Sequence, residues 1–111
     1  MKDQIFKQVD SLHDDIVNLS KDIHANPELA FEEYKSCEFI IKLLKKHDFV
    51  VEEKSGGLDT AFKGRFKIGA GGPVIAYLAE YDAMPEMGHA CGHNLIAATS
   101  VGAALALSTV M

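Results

Sequence analysis

Val74-Ile75-Ala76-Tyr77-Leu78-Ala79 is a nearly unbroken apolar run between Pro73 and Glu80, and it constrains the fold more than any other segment. A strand with one wet face alternates apolar and polar side chains. A run without alternation instead reads as a strand covered on both faces by helices. It therefore predicts a central strand in a layered α/β domain, with functional loops leaving the ends of the strands.

The segments before it supply the covering layers. Ile5, Val9, Leu12, Ile16, Leu19 and Ile23 recur at steps of four and three, which predicts a single helix from about Lys2 to Ala25 with one apolar stripe. Asn26 and Pro27 stop it, because proline lacks an amide donor and restrains the residue before it. A second helix is expected from near Glu32, with Cys37, Ile40, Ile41 and Leu44 inward and Lys42, Lys45 and Lys46 outside that stripe. Residues 49–52 and 60–67 read as short strands separated by a turn at Gly56-Gly57.

Leu95 to Met111 contains no charged residue, and its length approaches the roughly 18–20 residues that span a bilayer. Its Ala, Gly, Ser and Thr content suits a helix packed closely inside a protein, so a buried helix is expected rather than a membrane span. With 48% hydrophobic and 24% charged residues, the chain falls among globular proteins and away from disordered ones. A formal net charge of -5 without any Lys/Arg run leaves no footprint for nucleic acid. Two cysteines, Cys37 and Cys91, and an N-terminus that does not read as a secretory leader make a reducing cytoplasm the expected compartment.

The chemistry is concentrated after the apolar run, in Glu80-Tyr81-Asp82-Ala83-Met84-Pro85 and Gly88-His89-Ala90-Cys91-Gly92-His93-Asn94. Alternate side chains of an extended segment point the same way, so His89, Cys91 and His93 are expected to converge. Thiolate and imidazole suit zinc and other divalent first-row metals, and Glu80 and Asp82 lie near enough to ligate or to orient an imidazole. Two other readings stay open: an ordinary polar loop, and a Cys91 thiol activated by a neighbouring histidine. Nothing places Cys91 near Cys37 for a disulfide. His13, His24 and His47 read as surface or capping residues.

His24-Ala25-Asn26-Pro27-Glu28-Leu29, Glu32-Glu33-Tyr34, the Glu80–Pro85 strand end and Gly88-His89-Ala90-Cys91-Gly92-His93 together resemble the aminoacylase/carboxypeptidase metallopeptidase family. They are most similar to its amidohydrolase branch, which includes aminobenzoyl-glutamate and dipeptide hydrolases. The resemblance implies an α/β fold in which residues 1–111 are the N-terminal part of a layered α/β/α catalytic domain, without the dimerisation domain and the C-terminal catalytic half. It implies Cys91 and His93 as ligands of a paired zinc or manganese centre and Asp82 as the catalytic-site acid that orients it. Many relatives have a ligand histidine at the position of Glu80. Asn94 follows the aminobenzoyl-glutamate and dipeptide subset, and its chemistry suits capping the next helix.

The function implied is hydrolysis of amide bonds in N-acyl amino acids or dipeptides, by a homo-oligomeric complete enzyme acting on small molecules, with no nucleic acid or membrane partner. A chain of this length is expected to lack activity by itself. The alternative from another class is a non-catalytic metal-binding or interaction module, docking through bare apolar surface.

Overall fold

A computed structural model of the chain describes residues 1–110; Met111, the last residue of the charge-free stretch, lies outside the described residues. The apolar stripe forms, but on two helices: α1 (Lys2–Ser11) and α2 (His13–Ala25). At the break, Ser11 Oγ donates to the Gln8 carbonyl at 2.9 Å, and the Leu12 amide is shared between Gln8 and Val9 at 3.0 and 3.1 Å. A serine that bonds back to the preceding turn competes with the helical ladder, a local effect that apolar spacing does not register. Leu12, Leu19 and Ile23 are nonetheless buried.

Asn26 ends α2 by donating from its side chain to the Asp22 carbonyl at 2.8 Å. The next helix, α3 (Tyr34–Lys46), is capped from a distance. The Glu28 carboxylate accepts from the Lys35 and Ser36 amides at 3.0 and 2.8 Å, where helix amides lack partners and the helix dipole favours an anion. Cys37, Ile40, Ile41 and Leu44 are buried as expected. β1 (Val50–Glu53) and β2 (Phe62–Arg65) form an antiparallel hairpin running from Val50↔Arg65 to Glu53↔Phe62, and it packs on α3.

The charge-free stretch forms α4 (His93–Ser108), which lies mainly against α2. One face, with Ala97, Val101, Leu105 and Ala106, is buried, while Leu95 and Ile96 are exposed; the expected burial therefore holds for one face only. Gly102 is what brings α4 close to α2, since a Cβ there would stand 2.8 Å from Ile16 Cδ1. Among the described residues no helix is long and apolar enough to cross a membrane.

The apolar run differs from its expectation. Among the described residues Val74–Ala79 joins no strand ladder, and the sheet holds only β1 and β2. Val74 is 95% and Leu78 86% exposed. A doubly covered strand needs a neighbour at each edge and a layer on each face, and neither hairpin strand pairs with this run through its open edge. One hydrogen bond ties the run to α4, from Ser100 Oγ to the Leu78 carbonyl at 2.7 Å. The architecture is thus mixed, helices with a small hairpin, compatible with part of an α/β domain.

Candidate metal centre

The Glu80–Ala83 segment retains the alternation that the apolar run lacks. Tyr81 and Ala83 are buried: Tyr81 stacks on Phe62 with ring centroids 6.0 Å apart and donates its hydroxyl to the Thr60 carbonyl. Burial, then the neighbouring Cys37, raises the Tyr81 phenol well above its ordinary range, so it stays a neutral donor. With Tyr81 anchored inward, Glu80 and Asp82 project to the other side, as the two-residue period requires. The anchor was not read from the sequence, although one aromatic residue between two acids is a signal for it.

Two contacts hold the next turn. The Ala83 amide donates to the Glu28 carbonyl at 2.7 Å, and the Met84 amide to the Gly88 carbonyl at 2.9 Å. The chain then turns again over His89–Gly92, the Gly92 amide donating to the His89 carbonyl at 3.0 Å. Gly92 has φ +84, a left-handed conformation that glycine adopts without steric penalty, and the Leu95 and Ile96 amides both reach its carbonyl at 3.0 Å. Helix α4 therefore starts at His93.

This start corrects two expectations. His89, Cys91 and His93 do not converge, because a turn and a helix start replace the extended backbone that same-side projection needs: His89 is buried, Cys91 exposed and His93 between the two. Among the described residues no group of three or more His, Cys, Asp or Glu side chains is placed to hold a metal ion. Asn94 is not the cap either. Gly92 occupies that position without a side-chain cap, while Asn94 lies in the first turn and donates to Ser20 Oγ at 3.1 Å, joining α4 to α2.

What does come together is a smaller set. His93 Nδ1 lies 2.8 Å from Asp82 Oδ1 and 3.0 Å from the Asp82 main-chain carbonyl. Both partners are acceptors, so Nδ1 carries a proton toward Asp82, and in the tautomer this selects the lone pair falls on Nε2. Nε2 is 3.6 Å from Glu80 Oε2, beyond hydrogen-bond length. Cys91 Sγ is 3.9 Å from the Asp82 carbonyl. A thiol and a free imidazole nitrogen held by a carboxylate fit the donor chemistry of a divalent first-row cation.

His89 is 7% exposed, and among the described residues neither ring nitrogen has a hydrogen-bond partner. Burial, then the nearby His24 and His93, pushes its pKa below the ordinary value, so the ring is held neutral; the His24 ring centroid is 6.4 Å away. His13 is exposed, and His47 lies 3.4 Å from Asp15. Cys37 and Cys91 are both free.

No family model matches the chain. It is similar to the Xaa-Arg dipeptidase of Mus musculus, 34% identical over 100% of this chain and 28% of that protein. A p-aminobenzoyl-glutamate hydrolase chain of Escherichia coli is 35% identical over 81% of this chain and 22% of its own length. The thermostable carboxypeptidase 2 of Saccharolobus solfataricus is 30% identical over 95% of this chain and 30% of its own. The chain thus spans 22–30% of the length of these relatives. By name they are amide and peptide hydrolases. Within that class the chain belongs to the aminoacylase/carboxypeptidase metallopeptidase family, in the amidohydrolase branch.

Proposed function

We propose that the chain is the metal-loop part of a divalent-metal amidohydrolase that cleaves amide bonds in N-acyl amino acids or dipeptides. The observation that carries this reading is the Asp82–His93 pair, which leaves Nε2 with its lone pair free beside the exposed Cys91 on the same loop. Residues 1–111 then contribute the N-terminal part of a layered α/β/α catalytic domain. The dimerisation domain and the remaining catalytic half correspond to the portion of the relatives that this chain does not span. Cytoplasmic location and homo-oligomeric assembly belong to the same reading.

Cys91 and His93 would hold zinc or manganese, one member of a pair in the complete site. Such a centre supplies polarisation of an amide carbonyl and acidification of a water. Asp82 keeps the His93 ring in the tautomer that presents Nε2, and Tyr81 sets the direction in which Asp82 projects. Glu80, beside Nε2, adds negative charge that favours a cation there.

The test is metal content. The purified chain, prepared without chelator, is expected to bind zinc or manganese and to lose it when Cys91→Ser and His93→Ala are combined. Unchanged stoichiometry in the double variant would remove both residues from the site and overturn the reading.

A further inference from the structure

The candidate centre makes no use of His89 and His24. His89 is buried with both ring nitrogens unpartnered among the described residues. Buried polar side chains in folded proteins are nearly always paired, and one that is not calls for an ion or a water. The His24 ring stands beside it, with centroids 6.4 Å apart and planes tilted by 32°. His24 lies exposed in the last turn of α2. The two segments are pinned where they meet: Pro27 Cβ is 3.9 Å from where a Cβ on Gly88 would stand. The Ile23 main chain also lies against the His89 ring, outside hydrogen-bond geometry. A pair of imidazoles is thus fixed between the end of one helix and the loop that carries Cys91 and His93.

We propose that His24 and His89 form a second cation site, a two-histidine clamp for a divalent first-row ion that ties the end of α2 to the metal loop. Imidazole nitrogens bind zinc at about 2.0–2.1 Å, so two rings sharing one ion have centroids roughly 5–6.5 Å apart. The observed 6.4 Å falls within that span. Imidazole ligands suit zinc, nickel and copper, whereas manganese prefers oxygen. The electrostatics agree. Carbonyls at a helix C-terminus favour positive charge, and Asp82 is close enough to act on the His89 ring. The exposed His24 gives an ion its way in. Water fills the remaining positions, and two protein ligands hold metal weakly, so this site exchanges during purification and fills on titration. It stands apart from the hydrolase reading, because neither histidine is a ligand there.

Zinc titration of the full chain carrying Cys91→Ser and His93→Ala, followed by imidazole-ring NMR, reads this site without the loop ligands. Zinc is expected to move the His24 and His89 ring signals together and to saturate. It should also raise the thermal midpoint with concentration, as a ligand of the folded state does. His24→Gln, at an exposed position, should abolish the His89 shift, and the midpoint without zinc records that the variant folds. Manganese at the same concentration should move neither ring. Zinc shifts confined to His13 or His47 would overturn the site and leave an ordered water as the partner of the buried ring. A His89 shift that persists in His24→Gln would overturn the clamp as well, by removing His24 from the ligands.

Discussion

Asp82 accepts the Nδ1–H of His93 on two atoms, its carboxylate at 2.8 Å and its own main-chain carbonyl at 3.0 Å. The second acceptor survives any substitution at this position, so loss of the carboxylate weakens the hold on the imidazole without releasing it. Asp82→Asn is expected to reduce zinc affinity by about 10–100-fold, as changes to the partner of a ligating histidine typically do. Competition with a chromophoric chelator measures it, and an affinity equal to the parent chain would contradict the role.

Glu28 predicts a stability effect away from the metal loop. Its carboxylate caps α3 through two amides, and loss of a helix cap costs about 1 kcal/mol. Glu28→Ala should lower the urea midpoint accordingly, while Glu28→Gln, which keeps an acceptor oxygen, should lose less. Equal losses would mean that the contacts carry no capping energy.

Gly102 predicts a packing effect. A Cβ there meets Ile16 Cδ1 at 2.8 Å and Cγ1 at 3.1 Å, and overpacking a close contact typically costs about 1–3 kcal/mol. Gly102→Val is expected to destabilise the chain by that amount in thermal unfolding, and pairing it with Ile16→Ala should restore part of the loss. A Gly102→Val chain as stable as the parent would show that α2 and α4 separate freely.

Asp15 predicts a dependence on pH. Burial pushes its carboxyl up, but hydrogen bonds and charge from Lys46 and His47 outweigh this and hold it below its ordinary 3.8. The folded state therefore binds this proton less readily than the unfolded chain. The contribution is fully present above the ordinary value and is lost as pH falls through the lower folded one. At a partly exposed pair it amounts to no more than about 1 kcal/mol. Asp15→Asn should flatten the stability profile below pH 3.8 by that small amount and leave its shape near neutrality unchanged.

Local periodicity carried much of the helical part of the fold. The inward residues of α3 and the stripe shared by α1 and α2 follow from apolar spacing, and the hairpin follows from two short runs around a glycine turn. What spacing missed is set by hydrogen bonds within a turn or by distant partners. Ser11 breaks the first helix through its own side chain, and Gly92 starts α4 two residues before Asn94 could cap it. The apolar run failed differently. Six adjacent apolar residues report a preference for burial between layers, but pairing depends on strands elsewhere, and neither β1 nor β2 offers its open edge to this run. Within the candidate site the Asp82–His93 relation was legible from the residues and the family resemblance. The inward turn of His89 was not, because it depends on where Gly92 reverses the chain.

The bare Val74–Ala79 run also has a consequence for handling the molecule. Six consecutive residues with branched or aromatic side chains among them, no charge and no internal proline form the kind of window that seeds intermolecular cross-β stacking. Pro73 and Glu80 stand immediately outside it, one unable to extend a hydrogen-bonded ladder and the other repelling its own copy in a neighbouring chain, the two kinds of residue that act as gatekeepers around such windows. Replacing Pro73 or Glu80 by an apolar residue is therefore expected to make this chain associate more readily in concentrated solution.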